Sequence, residues 1–208
     1  GAFFNQGQIC MSTERVLVQD GIADQFIEKL IEKTRTIHAG NPAFKGHALG
    51  VLESQRAANR IRHLLEDAQS KGANLPLGMA IQDTTMQPTL VLNIQPDMAL
   101  YREESFGPVC TVQRFGSLEE GVALANDSEY GLSAAVFSQN IAQALDVAKQ
   151  IDSGIFHING ATVHDEAQMP FGGTKASGYG RFGSKASIAE FTELRWITIQ
   201  TQPRHYPI

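Results

Sequence analysis

The sequence predicts an α/β protein, a mainly parallel sheet covered by helices on both faces. Three observations carry this. Short β-branched apolar runs alternate along the chain with longer stretches of helical period. Most of the gaps between strands hold helices of roughly ten to eighteen residues, as parallel crossovers require. The 208 residues, 42% of them hydrophobic, suffice to bury one sizeable core in one domain or two.

The elements follow in order. Glu14 to Gln19, ERVLVQ, has the alternation and branching of a strand. Asp20 is placed to cap a helix that carries Ile22, Phe26, Leu30, Ile31 and Ile37 on one face, closed by Gly40, Asn41 and Pro42. A loop by composition, HAGNPAFKGHALG, leads to a second amphipathic helix from Glu53, with Ala57, Ile61, Leu64, Leu65 and Ala68 inward and an end near Gly72. Pro88 to Ile94 reads as a strand, and Gly107 and Pro108 break a loop before another from Val109 to Phe115. Ser117 with Glu120 forms a capping box for a helix through Ala125. A strand at LSAAVFS, a helix from Asn140 to Ile151 and a short strand at GIFHING complete the alternation. From Asn159 to Gly183 the chain is rich in Gly, Ser and Thr, and a loop of that length is usually functional or disordered. Glu193 to Gln202, ELRWITIQTQ, is a final strand candidate, either an edge of its own sheet or an addition to a neighbour's sheet in an oligomer.

Composition excludes several classes. The net charge is −5 and the basic residues are scattered, so there is no footprint for nucleic acid or an anionic membrane. No apolar run reaches the ~18 residues of a membrane span, and no basic segment followed by an apolar one opens the chain. The expectation is a cytoplasmic protein. Two cysteines, Cys10 and Cys110, are too few for a disulfide framework and lack zinc-site spacing, so no metal is expected.

One local feature suggests chemistry. In FFNQGQICMS, Cys10 follows a Gly-containing turn, where nearby N–H groups favour a thiolate and keep the sulfur accessible. The same thiol also reads as a small buried hydrophobe, and the local sequence leaves both open. GGTKASGYG is not a phosphate-binding loop, because it fits neither the Walker spacing nor a strand-to-helix GxGxxG.

The order of segments decides between the readings of Cys10. FFNQGQIC followed by ERVLV, EESFGPV at 103–109, ANDSEYGLSAAVFS at 125–138, MPFGGTKASGYGRFG at 169–183 and EFTELRWITI near the end together resemble the catalytic half of an aldehyde dehydrogenase. The match runs through essentially the whole chain. HINGATVHDEAQMPFGG and the ending RWITIQTQPRHYPI are most similar to the bacterial aromatic aldehyde dehydrogenases that act on salicylaldehyde, vanillin or benzaldehyde.

The resemblance implies that Cys10 is the nucleophile, passing through a thiohemiacetal and a thioester to a carboxylic acid. It implies that Glu104 holds the nicotinamide ribose of NAD or NADP, since a carboxylate accepts both hydrogen bonds of a vicinal diol. Phe106 is implied beside the nicotinamide, and Ile9, Met11 and Phe171 as walls of the aldehyde pocket. It further implies a catalytic domain over residues 1–190 and an assembly tail over 191–208, in a homodimer or homotetramer. The N-terminal NAD-binding domain, the general-base glutamate and the oxyanion-hole asparagine of the family lie upstream of the first residue here. The fragment alone is therefore expected to have little turnover. Alternatives are an assembly domain without turnover and a coenzyme A-acylating enzyme.

Overall fold

Three parallel strands form the centre of the fold. The computed structural model describes residues 1–41 and 43–207; Pro42, expected to close the first helix, and Ile208 lie outside the described residues. A 3-10 turn at Phe4–Gly7 precedes β1 (Arg15–Gln19), α1 (Asp20–Arg35), α2 (Gln55–Ser70), β2 (Ile81–Gln82), β3 (Thr85–Met86) and β4 (Thr89–Leu92). Then come α3 (Ala99–Arg102), β5 (Val109–Phe115), α4 (Leu118–Asn126), β6 (Tyr130–Gly131), β7 (Ser133–Val136), α5 (Ile141–Ala148), β8 (Ile155–Ile158), β9 (Thr174–Lys175) and α6 (Ser184–Glu190).

β5 lies between β1 and β4 and is parallel to both, with Val16 opposite Val112 and Val91 opposite Thr111. β7 and β8 form a separate parallel pair, Ala135 opposite His157. β2–β3 and β6–β9 are two-residue antiparallel pairings. The expected α/β class with a parallel sheet is what the chain adopts.

Both faces of the central sheet are covered, which is why its strands read as apolar runs and not as strict alternation. On one face Val91 and Val109 pack with Ile61, Leu64 and Leu65 of α2 and with Met86, Met98 and Tyr101. On the other, Val18 and Val112 pack with Ala23, Ile27 and Leu30 of α1. Residues 91 and 92, neighbours on β4, fall into opposite clusters, as the period of two demands.

Helix caps follow the sequence signals in part. The side chains of Ser54, Ser117 and Asn140 accept hydrogen bonds from the third residue onward, starting α2, α4 and α5. Asp20 is the first residue of α1 and not its cap, which is Gln19 without a side-chain bond. The buried stripe of α1 is also rotated. Ala23 and Thr34 are buried, with Ile27 and Leu30 between them, while Ile22 and Phe26 face outward. A three- or four-residue period fits either stripe in this helix, and contact with β1 and β5 selects the one containing small Ala23. α1 also stops at Arg35, before Ile37.

Two differences lie at the C-terminal end. α6 has no clear sequence signal; its N-cap is Gly183, with no side-chain bond. The strand expected over Glu193–Gln202 is absent: residues 192–207 pair with no strand, and Leu194, Trp196, Ile197 and Ile199 stand exposed. A strand is held by a neighbouring edge, and no strand among the described residues supplies one.

Candidate active site

The Cys10 loop is built from left-handed backbone. Asn5, Gln6 and Gly7 have φ of 50°, 57° and 69°, and the turn that follows is closed by the Ser12 N–H donating to the Ile9 carbonyl at 2.8 Å. Cys10 sits on this turn with its thiol exposed, and its backbone N–H has no acceptor among the described residues. Within this span, then, Cys10 does not pack as a small hydrophobe. Cys110 is the contrast: buried on β5, its thiol is pushed up to about 12 by burial and then by the charge of Glu14, which keeps it protonated and unreactive.

Two glutamines of the opening motif anchor the loop. Gln6 accepts from the Gly50 N–H at 3.1 Å and donates to the Val51 carbonyl at 3.3 Å. Gln8 accepts from the Glu53 N–H at 2.8 Å and donates to the same carbonyl at 3.3 Å. The loop therefore lies against the chain just before α2. On its other side, the Thr162 hydroxyl donates to the Met11 carbonyl at 2.7 Å and lies 2.7 Å from the Thr13 hydroxyl, while the Thr162 carbonyl accepts from Ser133 of β7 at 2.8 Å.

The segment bearing Glu104 and Phe106 meets this loop through two glycines. A Cβ on Gly7 would stand 1.9 Å from the Gly107 carbonyl oxygen, and one on Gly107 would stand 2.4 Å from the Ile61 side chain. Only bare backbone lets the two loops and α2 approach so closely. Phe106 itself has φ of 50°, and its ring is partly exposed.

Two charged side chains grip the same segment from opposite sides. Glu14, one residue before β1, accepts from the Ser105 N–H at 3.0 Å, the Ser105 hydroxyl at 2.9 Å and the Phe106 N–H at 3.0 Å. Arg60 of α2 donates to the Glu104 carbonyl at 2.8 Å and to the Ser105 carbonyl at 2.5 Å. Burial pushes the Glu14 carboxyl above the usual range, against the bonds from Ser105 and Phe106 that pull it down. The Glu104 carboxyl is also raised by desolvation, with nearby Arg60 opposing.

Of the residues that the sequence singles out, Cys10, Glu104 and Phe106 lie on loops that touch, with Ile9 and Met11 flanking the thiol. Phe171 has other neighbours: it bridges to Phe182 through paired backbone bonds, and the two rings lie 4.9 Å apart. No hydrogen bond or ring contact among the described residues joins it to the Cys10 turn. Two surface depressions, one along α1 beside Arg114 and one between the end of α1 and Gln87, are lined by none of these residues. Glu14, Arg60 and Thr162 carry the architecture, yet little in their local sequence marks them. The one trace is a carboxylate at the head of the apolar run ERVLV.

The free acceptors on this segment are of the kind that a vicinal diol could use. The Glu104 carboxylate has no hydrogen-bond or ion-pair partner among the described residues, so both oxygens are free to accept a diol, and the Phe106 ring stands two residues away on the same fixed segment. Among the described residues no helix is long and apolar enough to cross a membrane, and no group of three or more His, Cys, Asp or Glu is placed to hold a metal ion.

The chain is 57% identical over 208 residues to a vanillin dehydrogenase of Pseudomonas sp. (strain HR199 / DSM 7063), covering all of this chain and 43% of that protein. Its fold matches a crystal structure of a salicylaldehyde dehydrogenase from Pseudomonas putida G7 complexed with salicylaldehyde, with TM-score 0.91 and 44% identity over 99% of this chain and 43% of the other. A betaine aldehyde dehydrogenase from Staphylococcus aureus in complex with NAD+ matches with TM-score 0.84 and 36% identity, over 90% of this chain and 39% of the other. The chain thus spans less than half the length of these relatives. Residues 1–197 match the aldehyde dehydrogenase family, and the chain belongs to it.

Proposed function

We propose that the protein oxidises an aldehyde, aromatic by preference, to a carboxylic acid, with NAD+ or NADP+ as the hydride acceptor. The observation that carries the reading is the exposed Cys10 thiol on a closed turn whose loop is locked, through Gly7 and Gly107, to the segment bearing Glu104 and Phe106. The vanillin and salicylaldehyde enzymes among the relatives support an aromatic substrate, and the NAD+ complex among the related structures supports the cofactor.

The chemistry follows from the groups at the turn. Cys10 Sγ, as thiolate, adds to the aldehyde carbonyl carbon, and the carbonyl oxygen becomes an oxyanion for which the free Cys10 N–H is a donor. The nicotinamide cofactor, when bound, supplies the acceptor for the hydride that leaves the same carbon. The carbonyl re-forms as a thioester on Cys10, and attack by water releases the acid and returns the thiol. Glu104 would hold the ribose hydroxyls and Phe106 would lie against the nicotinamide, with Ile9, Met11 and Phe171 as walls of the aldehyde pocket. Residues 1–190 form the catalytic domain, and 191–208 an assembly tail in a cytoplasmic homodimer or homotetramer. A base to activate water and the rest of a dinucleotide site are placed by this reading in the part of the relatives' length that this chain does not span.

The test uses the protein at the length of its relatives. Vanillin, salicylaldehyde and benzaldehyde are offered with NAD+ and with NADP+, and reduced nicotinamide is followed. Aldehyde-dependent reduction without coenzyme A is expected, lost by on the order of 10³-fold or more in Cys10→Ala, as when a covalent nucleophile is deleted. Undiminished turnover in Cys10→Ala would remove the mechanism. The 208-residue chain alone is expected to show little or none.

A further inference from the structure

We propose that Glu14 is a positioning residue which, together with Arg60, fixes the Glu104–Phe106 segment and so sets the affinity for the nicotinamide cofactor without touching it. The inference rests on the functional reading above, since it assigns Glu104 and Phe106 to the cofactor.

Two side chains hold most of the backbone polar groups on this segment. The N–H groups of Ser105 and Phe106 and the Ser105 hydroxyl all donate to one carboxylate, that of Glu14. The carbonyls of Glu104 and Ser105 both accept from one guanidinium, that of Arg60. Five polar groups in three residues are thus satisfied by two side chains of opposite charge, distant in sequence from the segment they hold. What the clamp leaves free is the Glu104 carboxylate and the Phe106 ring.

Glu14 is itself held from behind. Its carbonyl accepts from the Thr111 N–H at 2.9 Å and the Thr111 hydroxyl at 3.1 Å, which ties its backbone to β5. It also lies four residues beyond Cys10, at the exit of the nucleophile loop. One side chain anchored in the sheet therefore fixes the cofactor segment relative to the thiol. A carboxylate is needed because all three partners are donors. A glutamine would set its own N–H₂ against at least one of them. The left-handed φ of 50° at Phe106 is a conformation that a non-glycine residue keeps only when its surroundings impose it, and the Phe106 N–H is one of the three groups bound by Glu14.

The experiment compares wild type, Glu14→Gln and Ser105→Ala in the protein at the length of its relatives. Hydrogen exchange at the Ser105 and Phe106 amides reads the clamp without any need for activity; KM for NAD+, KM for the aldehyde and kcat read its consequence. Glu14→Gln is expected to speed exchange of both amides and to raise KM for NAD+ by about tenfold each, with the aldehyde KM changed by less than about twofold. The rate of Cys10 alkylation by iodoacetamide in cofactor-free protein is expected to stay within about twofold, showing that the nucleophile loop is intact. Ser105→Ala removes one donor and leaves the carboxylate, and is expected to shift KM for NAD+ in the same direction by about threefold, which keeps the test open if Glu14→Gln does not fold. Unchanged amide exchange or unchanged KM for NAD+ in a folded Glu14→Gln variant overturns the proposal, as does an equal rise in both KM values. Faster exchange in the variant, together with a wild-type protein that reduces neither NAD+ nor NADP+, would uphold the clamp and overturn the functional reading alone.

Discussion

Replacing Gly7 by alanine tests whether the approach of the two loops is real and rigid. The residue sits at φ of 69°, where a side chain costs about 1–2 kcal/mol relative to glycine. Its new Cβ would meet the Gly107 carbonyl oxygen at 1.9 Å and the carbonyl carbon at 2.5 Å. Those atoms are backbone, and Gly107 is backed by buried Ile61, so no rotamer change relieves the contact. The loops have to part by roughly 1–2 Å to restore ordinary separations, with an overpacking cost of about 1–3 kcal/mol. Together with the backbone term this predicts a loss of about 2–5 kcal/mol in urea unfolding. In the protein at the length of its relatives it also predicts a fall of about a hundredfold in kcat/KM, because a displacement of that size would separate the reacting groups that the proposed mechanism aligns. Gly21→Ala is the control: it lies in α1, a Cβ there would meet no heavy atom within 4 Å, and it is expected to stabilise by about 0.5–1 kcal/mol. A Gly7→Ala protein within about 0.5 kcal/mol of wild type and within about twofold in rate would refute the packing argument.

Three further outcomes are expected. Thr162→Val keeps the shape but removes the hydroxyl shared by the Met11 carbonyl and Thr13, and should cost about 1–3 kcal/mol in urea and speed alkylation of Cys10; an unchanged urea midpoint would show that the bridge carries no weight. Ser54→Ala removes the acceptor for the Ala57 N–H at the start of α2 and should cost about 1 kcal/mol, read from the shift in thermal midpoint. His157 titrates below its ordinary range, first because of burial and then because of neighbouring His164, and its Nε2 is buried without a partner among the described residues. The unfolded chain therefore binds that proton at higher pH than the fold does, so the contribution of His157 is complete above about pH 6.5 and is lost as pH falls through the lower folded value. Urea midpoints across this window should slope less in His157→Gln, and identical slopes would contradict the assignment.

What could be read from the sequence was local. The apolar run of β5 falls where the structure has it, from Val109 to Phe115, and Ser117 caps α4 by accepting from the Glu120 N–H, although the Glu120 carboxylate takes the Gly116 N–H instead of closing the box on Ser117. Cys10 is marked by its motif and lies on an exposed turn. What escaped depends on contacts between distant segments. The choice between two stripes on α1 is made by the sheet beneath it, and the segment Glu193–Gln202 has the pattern of a strand without an edge to join among the described residues. Glu14 and Arg60 look like ordinary surface charges until the fold brings positions 14, 60 and 105 together.

The same distinction explains why the opening motif contains polar residues with no evident local role. FNQGQ places Asn5, Gln6 and Gly7 in left-handed backbone, a costly arrangement that collapses unless other bonds hold it. The bonds are those of Gln6 and Gln8 to Gly50, Val51 and Glu53, so the strain is carried by the segment leading into α2. That helix supplies Arg60 to the Glu104–Phe106 segment and Ile61 to the space behind Gly107. One helix therefore determines the position of both loops, through its N-terminal approach for the thiol and through its second turn for Glu104 and Phe106. A rigid element between two strained loops holds them at a fixed separation, which the hydride transfer proposed above would require. Strain in either loop would otherwise be released by drifting away from the other, and α2 closes that route from both sides.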